Sequence, residues 1–138
     1  MKTVLFACVH NAGRSQMAAA VFNELADPAK ARAISAGTEP ASRVHPEVVA
    51  AMREVGVDLA DVRPRRLTGE LAAEAGVLVT MGCGEACPVV PGAARIEWAL
   101  EDPKGQSVEK VREIRDDIRA RVAALVTGHG WRRGSGSG

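Results

Sequence analysis

Short apolar runs alternate with stretches of helical periodicity from Lys2 to Val126, and this alternation restricts the chain to parallel strands joined by crossover helices. Lys2 to Cys8 reads as the first strand. Ser15 to Leu25 reads as a helix, with Met17, Val21 and Leu25 at helical spacing and Asp27-Pro28 as its stop. Ala33 to Gly37 makes a short second strand. His45-Pro46-Glu47 opens a second helix, with Pro in its favoured first position and a carboxylate near the positive dipole end; Val48, Met52 and Val55 form its buried stripe before Gly56. Asp58 to Arg66 is polar and loop-like, and Thr68 to Ala75 predicts a small helix. Val77 to Met81, between Gly76 and Gly82, is a continuous apolar run suited to a strand covered on both faces. Ala94 to Leu100 is a weaker strand. Ser107 to Val126 places Val108, Val111, Ile114, Ile118, Val122 and Leu125 on one face and charges on the other.

The 138 residues suit one domain, read as 1–128, with 129–138 as a flexible tail that ends in the linker composition Gly134-Ser135-Gly136-Ser137-Gly138. Eighteen Lys plus Arg against seventeen Asp plus Glu leave a net charge of +1, which points away from nucleic acid and from an anionic membrane surface. No apolar stretch approaches a membrane span, and the run after Lys2 enters the Cys8 turn without a small-residue cleavage site, so the chain reads as cytoplasmic. Three cysteines, Cys8, Cys83 and Cys87, are an odd set for a disulfide framework and read as chemical. Scattered His10, His45 and His129 do not complete a zinc site with Cys83 and Cys87, so no metal is expected.

The strand-to-helix junction Cys8-Val9-His10-Asn11-Ala12-Gly13-Arg14-Ser15 carries the chemistry. Free amides at a helix N-terminus bind a tetrahedral oxyanion, so Val9, His10, Asn11, Ala12, Gly13, Arg14 and Ser15 are its expected binding loop. Gly13 lets the backbone curl close to the anion, and Arg14 adds two parallel charge-assisted bonds that Lys would not reproduce. The same positive field favours the thiolate of Cys8, the form that attacks. Asn11 can hold the loop through its amide, and Ser15 can donate to the sulfur. His10 reads as a loop filler rather than a base. The bland alternative makes Cys8 a packing residue and Arg14 a surface charge. Asp102, held extended by Pro103, suits either a turn starter or a general acid swung over the cradle. Trp98 reads as a packing anchor.

Cys8 to Arg14 with Ser15, and Asp102-Pro103, resemble the oxyanion loop and general acid of the low-molecular-weight tyrosine phosphatase fold. Ser15-Gln16-Met17-Ala18, Ser35-Ala36-Gly37, Val79-Thr80-Met81 before Cys83, Cys87-Pro88, and Trp98 before Asp102-Pro103 are similar to the arsenate reductases built on that fold. The resemblance spans roughly residues 2 to 126. It implies an α/β fold: a doubly wound four-stranded parallel sheet with helices on both faces. It also implies thiol-dependent reduction of arsenate to arsenite. Cys8 would attack arsenic, Asp102 would protonate the departing oxygen, and Arg14 with the loop amides would hold the anion. Cys83 would then attack Cys8, and Cys87 would take the disulfide for an external reductant, with no bound cofactor.

Two departures bear on that relay. Cys83 and Cys87 are closer together than in thioredoxin-coupled members, and Ala19 replaces an acidic residue of those members' potassium site, so that metal is not carried over. Members that resolve the adduct with mycothiol and mycoredoxin are similar too, and there Cys83 and Cys87 would be structural or dispensable. The rival activity is hydrolysis of phosphomonoesters by the same Cys8, Arg14 and Asp102. A non-catalytic anion sensor is the third reading. The absence of Tyr and the presence of only two Phe favour a small inorganic substrate over a phosphotyrosine ring. Arg63, Arg65 and Arg66 read as a solvated loop rather than as a dock for an acidic partner.

Overall fold

The computed structural model of the chain describes residues 2–81 and 94–133, so Cys83 and Cys87 lie outside the described residues. Its elements are β1 (Lys2–Cys8), α1 (Arg14–Leu25), β2 (Ala31–Gly37), α2 (Pro46–Arg53), α3 (Gly69–Ala73), β3 (Val77–Thr80), β4 (Ala94–Glu97) and α4 (Val108–Gly128). The four strands are parallel and lie in the order β2-β1-β3-β4. The chain leaves β1 toward one edge and returns past it to build the other, so the order reverses between β1 and β3. The carboxyl ends of those strands form the crevice where open α/β sheets bind ligands. Cys8 closes β1 there, opposite Gly37 of β2.

Alternating strand residues sort into two cores, one on each face of the sheet. Val4, Phe6, Val77 and Val79 meet α1, α2 and α4 on one side, whereas Leu5, Ala7, Leu78 and Ala36 meet Ala72 of α3 on the other. Pro46 opens α2 behind His45, and Ser107 and Thr68 cap α4 and α3 with their side chains. Trp98 is buried against Phe6, with ring centroids 5.8 Å apart.

Several boundaries differ from the sequence reading for identifiable reasons. β2 begins two residues earlier, at Ala31, because pairing with β1 runs from Lys2↔Ala31 to Cys8↔Gly37. β4 stops at Glu97, where its pairing with β3 ends at Thr80↔Glu97. Val108, expected on the buried face of α4, is 53% exposed as the first residue of the helix, and Val126 is buried where Leu125 is only partly covered. Residues 129–133, read as the start of the tail, run back along α1: Asp27 N donates to Trp131 O (2.7 Å) and Arg133 N to Leu25 O (2.8 Å). The Trp131 ring covers Phe22, which gives this segment an apolar reason to dock.

Arg115 is buried in the α2–α4 interface, where Nη1 donates to Ala51 O (2.9 Å) and to Glu54 Oε1 (2.8 Å). Arg112 adds a bond of 2.6 Å to Glu54 Oε2. Hydrogen bonds from Arg112 and then Arg115 lower the Glu54 pKa from 4.5 to about 2. A depressed carboxylate stabilises the fold above its unfolded value and loses that contribution as it protonates. The difference in urea midpoint between the wild type and Glu54→Gln is therefore expected at neutral pH and should vanish as pH falls from 4.5 through about 2. A difference that holds unchanged at low pH would show that the ion pairs do not couple to folding.

Candidate active site

The oxyanion loop is held from outside by its carbonyls. Cys8 O accepts from Thr38 N, Val9 O from Glu39 N, His10 O from Ala41 N, Ala12 O from His45 N and Gly13 O from Met17 N, at 2.8–3.2 Å. Asn11 O accepts from Gln16 Nε2 at 3.1 Å. In a trans peptide the C=O and the following N–H point in opposite directions, so six consecutive outward carbonyls turn the N–H groups of residues 9–14 inward. Among the described residues no side chain caps the first turn of α1, which begins behind Gly13, so its leading amides extend the same cradle.

Asn11 makes the turn, with φ 50, a left-handed conformation that Asn tolerates. Its side chain is engaged at both ends: Oδ1 accepts from Arg65 N (2.9 Å) and Gln16 Nε2 (3.1 Å), and Nδ2 donates to Ser15 Oγ (2.7 Å). Because Ser15 Oγ accepts from Asn11, its own proton is free to point at Cys8 Sγ, 2.9 Å away. The Cys8 residue belongs to the edge of the main core, yet its sulfur meets this buried polar relay.

Gly13 also serves a purpose that the sequence does not announce. A Cβ there would lie 2.7 Å from Pro103 Cγ, so glycine lets the Asp102-Pro103 loop close onto α1. Arg14 is buried against that loop: Nη1 donates to Leu100 O (3.2 Å), and Nη2 lies 3.9 Å from Asp102 Oδ2. Asp102 Oδ1 accepts from Lys104 N (3.0 Å), so the turn and the placement beside Arg14 coexist, with half the carboxylate used by each. His10 bonds through Nδ1 to Glu39 O (3.2 Å).

Several supporting residues escaped the sequence reading. His45 N-caps α2 beside Gly13, 6.5 Å from the His10 ring; burial lowers its pKa from 6.5, with His10 and Lys104 adding to the effect and Glu47 and Asp102 opposing it. A Cβ on Gly37 would fall 2.6 Å from Val9 O and 2.8 Å from Asn11 N, so β2 can back the loop only without a side chain. Arg65 is an exposed residue whose backbone bonds Asn11 and Gly37 and whose Nε donates to Ser35 O, so its loop is stitched under the cradle rather than free. Only Ser35-Ala36-Gly37 signalled this in the sequence. Among the described residues no group of three or more His, Cys, Asp or Glu could hold a metal ion, and no helix is long and apolar enough to cross a membrane.

The profile of the low molecular weight phosphotyrosine protein phosphatase family matches residues 3–130. The chain belongs to this family. Within the low-molecular-weight phosphatase family, it is 37% identical over 129 residues to a glutaredoxin arsenate reductase of Synechocystis, covering 91% of this chain and 97% of that one. A thioredoxin-dependent arsenate reductase of Corynebacterium glutamicum superposes with a TM-score of 0.81 at 38% identity, over 93% of this chain and 61% of that one. An arsenate reductase solved in its phosphate-binding state superposes with a TM-score of 0.79 at 35% identity, over 93% of this chain and 98% of that one. The sheet order, the helices on both faces and the strand-end loop are the architecture of this family.

Proposed function

We propose that the chain reduces arsenate to arsenite at the expense of thiols. The carrying observation is a loop whose carbonyls are bonded outward and whose amides turn inward, between Cys8 Sγ and the buried Arg14, with no Phe, Tyr or Trp wall beside it among the described residues. The chain has two Phe, two Trp and no Tyr. Phe6, Phe22 and Trp98 are buried in the core, and Trp131 lies over Phe22. A phosphotyrosine ring would find no Phe, Tyr or Trp to pack against, whereas a small tetrahedral anion needs none. This favours the reductase over the phosphomonoesterase, and its relatives with arsenate-reductase names fit the same reading.

In this mechanism the Cys8 thiolate attacks As(V), and Asp102 protonates the oxygen that departs as water. Arg14 and the loop amides hold the remaining oxygens. A second thiolate then attacks Cys8 Sγ. The S–S bond forms, the S–As bond breaks, and its electron pair stays on arsenic, which leaves as As(III). Two thiols are thereby oxidised to one disulfide. Cys83 is proposed as that second thiol and Cys87 as the one that carries the disulfide to thioredoxin. In the alternative route mycothiol takes the place of Cys83 and mycoredoxin completes the cycle. Either route belongs in the reducing cytoplasm.

The test is arsenate-dependent NADPH consumption with a complete thioredoxin system and, separately, with mycothiol, mycoredoxin and their reductase. Turnover with one of them is expected. Failure with both, alongside full hydrolysis of an aryl phosphate that survives Cys83→Ser and Cys87→Ser, would establish the phosphatase instead.

A further inference from the structure

Several contacts pin the loop that carries Asp102. Arg14 Nη1 reaches Leu100 O, and Pro103 seats on Gly13; both belong to the site already described. Lys110 Nζ of α4 pairs with Glu101 Oε1 at 2.8 Å. A further contact comes from α2: Gly105 N donates to Glu47 Oε2 at 3.2 Å, across 58 residues of sequence. Glu47 lies in the first turn of α2, where the helix dipole favours a negative charge, and it belongs to neither the oxyanion loop nor the acid loop.

We propose that Glu47 is a positioning residue for the general acid, an inference that rests on Asp102 having that role. The connection between them is short and stiff. Asp102 Oδ1 holds Lys104 N at 3.0 Å, Gln106 N closes onto Pro103 O at 3.1 Å, and Gly105 makes the intervening turn at φ 71. A displacement of the Gly105 amide therefore passes to the Asp102 carboxyl through one turn of chain. Glu47 fixes the amide end of that turn, and Arg14 lies 3.9 Å from the carboxyl end. Substrate affinity, by contrast, comes from the amides of residues 9–14 and from Arg14, none of which Glu47 touches. Losing the tether should lower the rate of the protonated step and leave binding alone.

The experiment compares Glu47→Ala with Glu47→Gln, which keeps a carbonyl acceptor. In a single turnover at saturating arsenate, the alanine variant is expected to be slower by about tenfold, with the half-saturating concentration changed by less than about twofold. The glutamine variant is expected within about twofold of wild type. A structural role alone would not be rescued in this way at equal folded fraction. Amide hydrogen exchange at Gly105 should accelerate in the alanine variant only. Wild-type rates in the alanine variant, equal slowing of both variants, or unchanged Gly105 exchange would each overturn the proposal. If the wild type did not reduce arsenate, the functional reading would fall by itself; the same comparison on aryl phosphate hydrolysis, together with Gly105 exchange, would still decide the tether.

Discussion

Cys8→Ser is expected to lower arsenate turnover by about 10⁴-fold or more while leaving the fold and the anion cradle in place. The cradle is made by backbone amides whose orientation is set by carbonyls bonded to Thr38, Glu39, Ala41, His45 and Met17, and none of those bonds involves the Cys8 side chain. Serine is smaller than cysteine and can bond Ser15 Oγ across the position that Sγ now takes, 2.9 Å away. What disappears is chemistry: a serine hydroxyl has no base beside it to make an alkoxide, and oxygen cannot enter the disulfide step at all. Steady-state rates together with phosphate binding by calorimetry check both halves. A variant that loses phosphate binding along with turnover would mean that the loop is built around the sulfur and not around its carbonyl bonds.

Arg14→Lys is expected to cost about 10²–10³ in kcat/KM, comparable to the loss of a preorganised oxyanion donor. The guanidinium is buried and works in two directions, with Nη1 on Leu100 O and Nη2 facing Asp102. A lysine ammonium is one point of charge: it can serve the anion or the Leu100 carbonyl, and it does not supply the planar fork that matches two oxygens of a tetrahedral ligand. The loss should fall on kcat and on KM together, because in the proposed mechanism Arg14 holds the anion before and during the reaction. Steady-state kinetics of the purified variant is the measurement. A loss smaller than about fivefold would remove Arg14 from the site.

The strand and helix succession was legible because each element repeats a local period. β1 came out with its bounds intact, and α1, α2 and α4 within a few residues. The loop was legible too, since a thiol, a glycine and an arginine between an apolar strand and an apolar helix narrow the geometry. Long-range pairing was not. Nothing local marks Arg65 as a donor to Asn11 or Glu47 as a partner of Gly105, and Ser35-Ala36-Gly37 stands out as a motif without showing that Gly37 lies under Val9. Gly13 shows the same limit: the local turn accounts for a glycine there, but the approach of Pro103 from 90 residues away does not show in the sequence. Val108 was placed on the buried stripe by its period, although the first residue of a helix can lie beyond the surface it packs on.

Mass mapping of the cysteines after a single exposure of the fully reduced protein to arsenate, with and without mycothiol, tests the role of Cys8 most directly. The expected result is one disulfide per molecule, either between Cys83 and Cys87 with Cys8 returned to a free thiol or between Cys8 and the small thiol, with one arsenite released per oxidised molecule. Three alkylatable thiols and no arsenite in both conditions would contradict it.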